Sequence, residues 1–206
     1  MRRSDAQLRT LRTQLIIIGS MIALIWGIEI VDWMLGGSLD AFGIQPRTSS
    51  GLRGILWAPW LHGSFSHLAA NTVPLAVLGW FLLLRSTRHF VLVSISTILV
   101  GGLGVWLIGA AGTNHLGASI LIFGYFGYLL FAGILERSLQ SLSLMFVVIF
   151  LYGSMIWGIF PIWTSNISWE GHLFGFIGGA IAAYFLNPRR QLTVETIDDQ
   201  IYIIEE

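Results

Sequence analysis

An all-α membrane protein, built as a bundle of six transmembrane helices with a long first outer loop partly embedded in the membrane, is the architecture this chain predicts. Three observations lead there. The 206 residues are 55% hydrophobic and 11% charged, with mean hydropathy +0.76, whereas a soluble domain carries about 25% charged residues. Apolar runs recur from end to end, most of them near the ~20 residues that cross a bilayer as a helix. All 11 cations are arginine, and they gather between alternate runs.

Residues 1–14 form a short N-terminus carrying Arg2, Arg3, Arg9 and Arg12. The apolar run behind them is too long for a signal peptide and lacks a small-x-small cleavage site, so it reads as a retained first span. The six spans fall at Leu15–Leu35, Leu68–Leu84, Phe90–Ala110, Leu116–Leu135, Leu142–Phe160 and Leu173–Leu186. The last is short. It reaches crossing length only if its helix begins near Trp169 and carries His172 into the membrane. Nine arginines lie on the N-terminal side, and only Arg47 and Arg53 on the other. The positive-inside rule then puts both termini in the cytoplasm. Gly36 to His67 is the longest outer connection, and its apolar half, Ile55–Phe65, is expected to lie in the interface or dip back into the protein. The membrane domain covers 15–187. A cytoplasmic tail, 188–206, is acidic around Asp198, Asp199, Glu205 and Glu206.

Several classes are excluded. Cysteine is absent, which removes disulfides, thiolate metal sites and cysteine nucleophiles. No basic patch suits a nucleic acid; the partner that composition implies is the lipid bilayer. His62 and His67 are not spaced as a zinc pair and have no carboxylate nearby, so no metal is expected.

Spans two, four and six run in the same direction, so their first turns share one depth near the outer face. His67 and Asn71 open span two, Ser119 opens span four and His172 opens span six. Polar groups there are costly unless paired or functional. Ser119 is either a packing serine bonded to its own helix or a nucleophile, exposed by small Gly117 and Ala118 beside the unpaired N–H groups of a helix start. His172 is either a structural histidine or the base that takes the serine proton. His67 and Asn71 share a helix face, as an interhelical clamp or as oxyanion donors. Phe123, one turn below Ser119, either packs in the core or stacks under the imidazole. Gly171, Gly175, Gly179 and Ala183 form a ridge of small residues, and span four offers Gly124 and Gly127. Close approach along that ridge would bring serine and imidazole together.

Other polar residues read as supporting. Glu29 and Asp32 are expected to pair with Arg47 or Arg53 or to meet interfacial water. His115 reads as solvated in its loop, His89 as remote at the cytoplasmic end, and Glu170 as facing the wrong way to complete a triad. Trp26, Trp33 and Trp163 suit an interfacial belt.

Four pieces of this pattern occur in order: His62-x4-His67-Leu-x2-Asn71, Gly117-Ala-Ser119, Ser119 followed by Gly127, and Gly171-His172-x2-Gly175-x3-Gly179. Over about Gly51 to Leu186 the chain resembles the rhomboid family of intramembrane serine proteases. The resemblance implies a Ser119–His172 dyad without an acid, with His67, Asn71 and the Ser119 N–H holding the oxyanion. It implies a substrate that is another protein's transmembrane segment, cut near its outer end, no cofactor, and a home in a prokaryotic plasma membrane. Span five and Pro161–Gly171 would supply the gate and cap, with Trp157 and Phe160 at the gate. Some positions depart from the family pattern. Ile120 stands where glycine usually follows the nucleophile, and its branched side chain is expected to narrow the site or shift substrate preference. Phe123 replaces a common tyrosine and Gly171 a common alanine, and the tryptophan–arginine pair of the first outer loop is not evident.

Two other classes compete. An inactive relative serving as a membrane-protein scaffold or chaperone would normally lack the serine or the histidine, and both are present. A transporter or channel needs charged groups at mid-membrane, and the middles of these spans carry essentially none.

Overall fold

The computed structural model describes residues 2–161, 168–187, 193–197 and 200–204, with side chains over 7–161 and 168–187. Its helices are α1 (Arg2–Met34), α2 (Ser49–Trp57), α3 (Phe65–Arg85), α4 (Thr87–Ile108), α5 (Ser119–Glu136), α6 (Leu139–Tyr152) and α7 (Trp169–Phe185). Short 3-10 turns lie at Ser38–Phe42, Ala58–Trp60 and Gly153–Ile159. Strands β1 (Thr193–Ile197) and β2 (Gln200–Ile204) pair as an antiparallel hairpin in the tail. Most of the expected cap falls on residues 162–167, and these, like Arg189, Arg190, Asp198, Asp199, Glu205 and Glu206, lie outside the described residues.

Five stretches are long and apolar enough to cross a membrane: Gln7–Met34, Phe65–Arg85, Thr87–Ile108, Ser119–Glu136 and Leu139–Ile159. The sixth helix, α7, has 17 residues and starts at Trp169, where its crossing requires it to start. Polar caps rather than hydropathy set several helix starts. Ser64, Ser86, Ser138 and Ser168 each accept the N–H of the residue three positions on, the strongest type of N-terminal stop signal. That is why α3 starts before Leu68 and α4 before Phe90. Conversely, α5 starts later than its apolar run, at Ser119, because Gly117 takes φ 126° and donates its N–H to Ala58 O at 2.9 Å.

α5 is the central helix: 72% of its apolar window is buried, against 6% for the α6 stretch. Tyr125, Phe126, Tyr128, Leu121 and Leu129 fill the core around it. α5 and α7 touch backbone to backbone, since Gly175 lies against the Ile120 carbonyl, Gly179 against the Gly124 carbonyl and Gly127 against the Phe176 carbonyl. Any larger side chain would part the helices. At the end of the bundle away from Ser119, an Arg85–Glu136 ion pair with Ser141 ties α3, α5 and α6 together.

The first connection is built into the protein. Ile44, Ile55, Ala58 and Leu61 are buried, and Ile44 exchanges backbone hydrogen bonds with His115 at 2.8 and 2.9 Å. Arg47 donates to the Leu107 and Gly109 carbonyls at 3.0 and 2.8 Å. Of the alternatives for Glu29 and Asp32, namely Arg47, Arg53 or interfacial water, this removes Arg47. The free carbonyls ending α4 are a ready partner for a guanidinium, while Asp32 instead accepts the Leu39 N–H at 2.6 Å. The Trp26 indole donates to Thr72 at 3.1 Å and joins α1 to α3.

Candidate active site

Ser119 is the first residue of α5, and Ala118 before it offers no side-chain cap. The opening N–H groups of that helix therefore have no intrahelical acceptor. The loop that delivers Ser119 is held from outside. Ala118 N–H donates to His62 Nε2 at 3.3 Å, and Gly117 lies against the His67 ring and the Asn71 amide of α3. A Cβ there would sit 2.6 Å from His67 Cε1 and 3.6 Å from Asn71 Nδ2. Glycine is required twice over, by its φ of 126° and by this close approach.

Ser119, His67, Asn71, Phe123 and His172 all line one open cavity of about 1480 Å³. Three helices thus bring their polar first turns to a common space. Asn71 is buried, and its Nδ2 has no hydrogen-bond partner among the described residues. An unpaired buried donor costs about 1–3 kcal/mol. His67 is half-buried, edge-on to His62 at 5.3 Å between ring centres.

His172 is fixed on two sides. Its ring stacks on Phe123 at 3.9 Å between centroids and 9° between planes. Its Nδ1 lies 3.0 Å from the Gly158 carbonyl. A carbonyl can only accept, so Nδ1 carries the proton and Nε2 keeps its lone pair. Ser119 faces the same cavity without a hydrogen bond to the imidazole. Such contacts are often long without substrate.

The sequence reading did not identify the Gly158 carbonyl, because a backbone oxygen leaves no mark in residue identity. It also assigned His62 no positive role, although the spacing to His67 marked it. Burial, then the nearby His67, pushes the His62 imidazole down to about 4, so Nε2 stays free to accept from Ala118. His115 is a correction. Instead of being solvated it is half-buried, with Thr113 and Ser168 hydroxyls at 2.7 Å from its two nitrogens. Its partner Ser168 comes from the start of α7, which a short polar loop does not disclose.

Ile120 is also a correction. Its side chain does not line the large cavity. It is 6% exposed and packs with Ile44, Ile55, Ala58 and Val105. Gly101 and Gly171 leave it room: a Cβ on either would meet Ile120 Cγ1 at 3.3 or 3.4 Å. A residue next to Ser119 on a helix points about 100° away from it, which carries this side chain into the core. Gly179 lies deeper along α7, in the helix contact rather than the cavity wall. Trp157 and Phe160 sit 6.1 Å apart on the exposed side of the α6 stretch.

The Rhomboid domain model matches residues 49–189. The chain belongs to the rhomboid family. It is therefore an integral membrane protein with a rhomboid bundle, and the relatives described below are bacterial. An uncharacterised protein of Mycobacterium tuberculosis is 40% identical over 180 residues, covering 84% of this chain and 75% of that one. A Mycobacterium leprae protein, also uncharacterised, is 38% identical over 181 residues, covering 84% and 71%. YdcA of Bacillus subtilis, whose name marks it as a candidate rhomboid protease, is 29% identical over 134 residues, 64% and 65% of the two chains.

Proposed function

We propose that this rhomboid is an active intramembrane serine protease that cleaves transmembrane segments of other membrane proteins. The observation that carries the reading is the clamped His172 ring, with Nδ1 donating to Gly158 and Nε2 left as a base in the cavity that Ser119 lines. In this reading Ser119 Oγ attacks the scissile carbonyl carbon and its proton passes to Nε2. The C–O bond forms, and the carbonyl electron pair becomes the oxyanion. Asn71 Nδ2, His67 and the Ser119 N–H donate to it. Collapse breaks the C–N bond, and the leaving amine takes the proton from Nε2. Water then hydrolyses the acyl-enzyme by the same steps in reverse roles.

A carbonyl replaces the carboxylate of a triad. It sets ring and tautomer without adding a buried charge, which would be costly at this depth. The arginine distribution orients the bundle with both termini in the cytoplasm and Ser119 near the outer face. Open to that face, the cavity supplies the water that deacylation needs.

Labelling with a serine-directed fluorophosphonate tests the reading. Wild type should label, while Ser119→Ala and His172→Ala should not. Equal labelling of all three would overturn it in favour of an inactive scaffold.

A further inference from the structure

His115 lies in the wall of the cavity, four residues before Ser119. Its hydrogen bonds form a directed chain. Thr113 Oγ1 donates to the Ala110 carbonyl at 2.7 Å, so its only proton is committed. It must then accept from His115 Nε2–H, also at 2.7 Å. In the neutral ring this leaves Nδ1 as an acceptor, and Ser168 Oγ lies 2.7 Å away to supply the proton. Ser168 Oγ in turn accepts the Gly171 N–H at 3.2 Å as the N-cap of α7. The chain runs from the first turn of α7, through the His115 ring, to the loop after α4.

We propose that His115 is a positioning residue that locks the loop carrying Ser119 to the first turn carrying His172, and so sets the approach of hydroxyl and imidazole. This rests on the protease reading above. Among the described residues, the His115–Ser168 bond is the one side-chain hydrogen bond joining residues 110–118 to the start of α7. The glycine contacts between α5 and α7 set the spacing of the helix axes. They do not set the loop before α5, which has no side-chain cap of its own. That loop is anchored instead by Ile44 to the His115 backbone, by Ala58 to Gly117 and by His62 to Ala118. These anchors, with Asn114 donating to the Asp40 carbonyl at 2.7 Å, all come from the first connection; among the described residues the His115 ring makes the side-chain hydrogen bond that extends them to α7. Burial lowers the affinity of this ring for a second proton, against the opposing pull of Glu170, which suits Nδ1 as an acceptor.

The test uses the full chain in detergent with a transmembrane-segment substrate, comparing wild type, His115→Ala and His115→Asn. The Asn side-chain oxygen stands near the position of Nδ1 and can accept from Ser168. For His115→Ala we expect kcat to fall on the order of 100-fold, the effect of a misplacement of about 1 Å, with KM unchanged. His115→Asn should recover most of kcat. A purely structural role would instead lower thermal stability and leave the kcat of the folded fraction intact. The proposal is overturned if His115→Ala turns over like wild type, or if folded His115→Asn is no better than His115→Ala. Should His115→Ala not fold, His115→Asn decides alone, since near-wild-type kcat supports the proposal and a loss near 100-fold overturns it. Fluorophosphonate labelling of wild type separates the two readings. An unlabelled wild type removes the protease and this role together, whereas a labelled wild type matched by His115→Ala removes this role only.

Discussion

Gly175→Ala is the sharpest perturbation of the proposed dyad, because it changes neither member. The new Cβ would lie 2.5 Å from the Ile120 carbonyl oxygen and 3.3 Å from the Ile120 carbonyl carbon. An ordinary contact needs about 3.4 Å, so α7 must retreat from α5 by roughly 1 Å. The obstacle is backbone on a central, buried helix and cannot rotate aside. Overpacking of this kind costs about 1–3 kcal/mol of stability. The catalytic cost is larger. Gly175 is one turn below His172, and Ile120 follows Ser119, so the displacement falls directly between hydroxyl and imidazole. A 1 Å error in such a pair costs on the order of 100-fold in rate. Turnover of a transmembrane substrate and thermal unfolding should be measured in the same detergent, with Gly19→Ala as control, since nothing lies within 4 Å of that position. Wild-type kcat in a folded Gly175→Ala variant would refute the reasoning, because it would mean that α5–α7 spacing does not set the dyad.

Three further outcomes follow from the same geometry. Asn71→Ala should cost about 3 kcal/mol of transition-state stabilisation without loss of thermal stability, because Nδ2 has no partner in the resting site; unchanged turnover removes Asn71 from the oxyanion hole. Ile120→Ala should lower stability by about 2–5 kcal/mol while folded protein keeps its activity, since the side chain fills the core rather than the cavity, and a marked change in substrate preference would contradict that placement. His62 binds its proton at about 4 in the folded chain against 6.5 when free, so the unfolded chain protonates first on acidification. Stability should therefore be full above pH 6.5 and decline by roughly 3 kcal/mol toward pH 4. Unfolding temperatures of wild type and His62→Gln across that range check this, and parallel acid slopes would rule His62 out as the cause.

Much of the site was legible in the chain because its determinants are local. Ser119, His172, His67 and Asn71 stand out against an apolar background, and hydropathy with arginine placement assigns them to three helices running in the same direction. The interval of four along Gly171, Gly175 and Gly179 also announces a close helix contact, although not which backbone each glycine meets. The engagement of His115 and the core packing of Ile120 are not legible in the chain. The first depends on Ser168 at the start of α7 meeting the ring, and the second on the first connection packing against α5; residues 36–67 carry no periodicity that reveals where they dock.

Hydropathy and the arginine pattern were enough to indicate a membrane bundle, and four short motifs its family and the candidate site residues, since hydropathy and motif spacing are properties of short segments. Folding in three dimensions decided which groups are engaged and which are free. The Gly158 carbonyl holds His172, His62 holds Ala118, Ile120 turns into the core and His115 bridges to Ser168. Each of these joins residues far apart in the chain or uses a backbone atom, and neither distance in space nor a carbonyl's direction is written in residue identity.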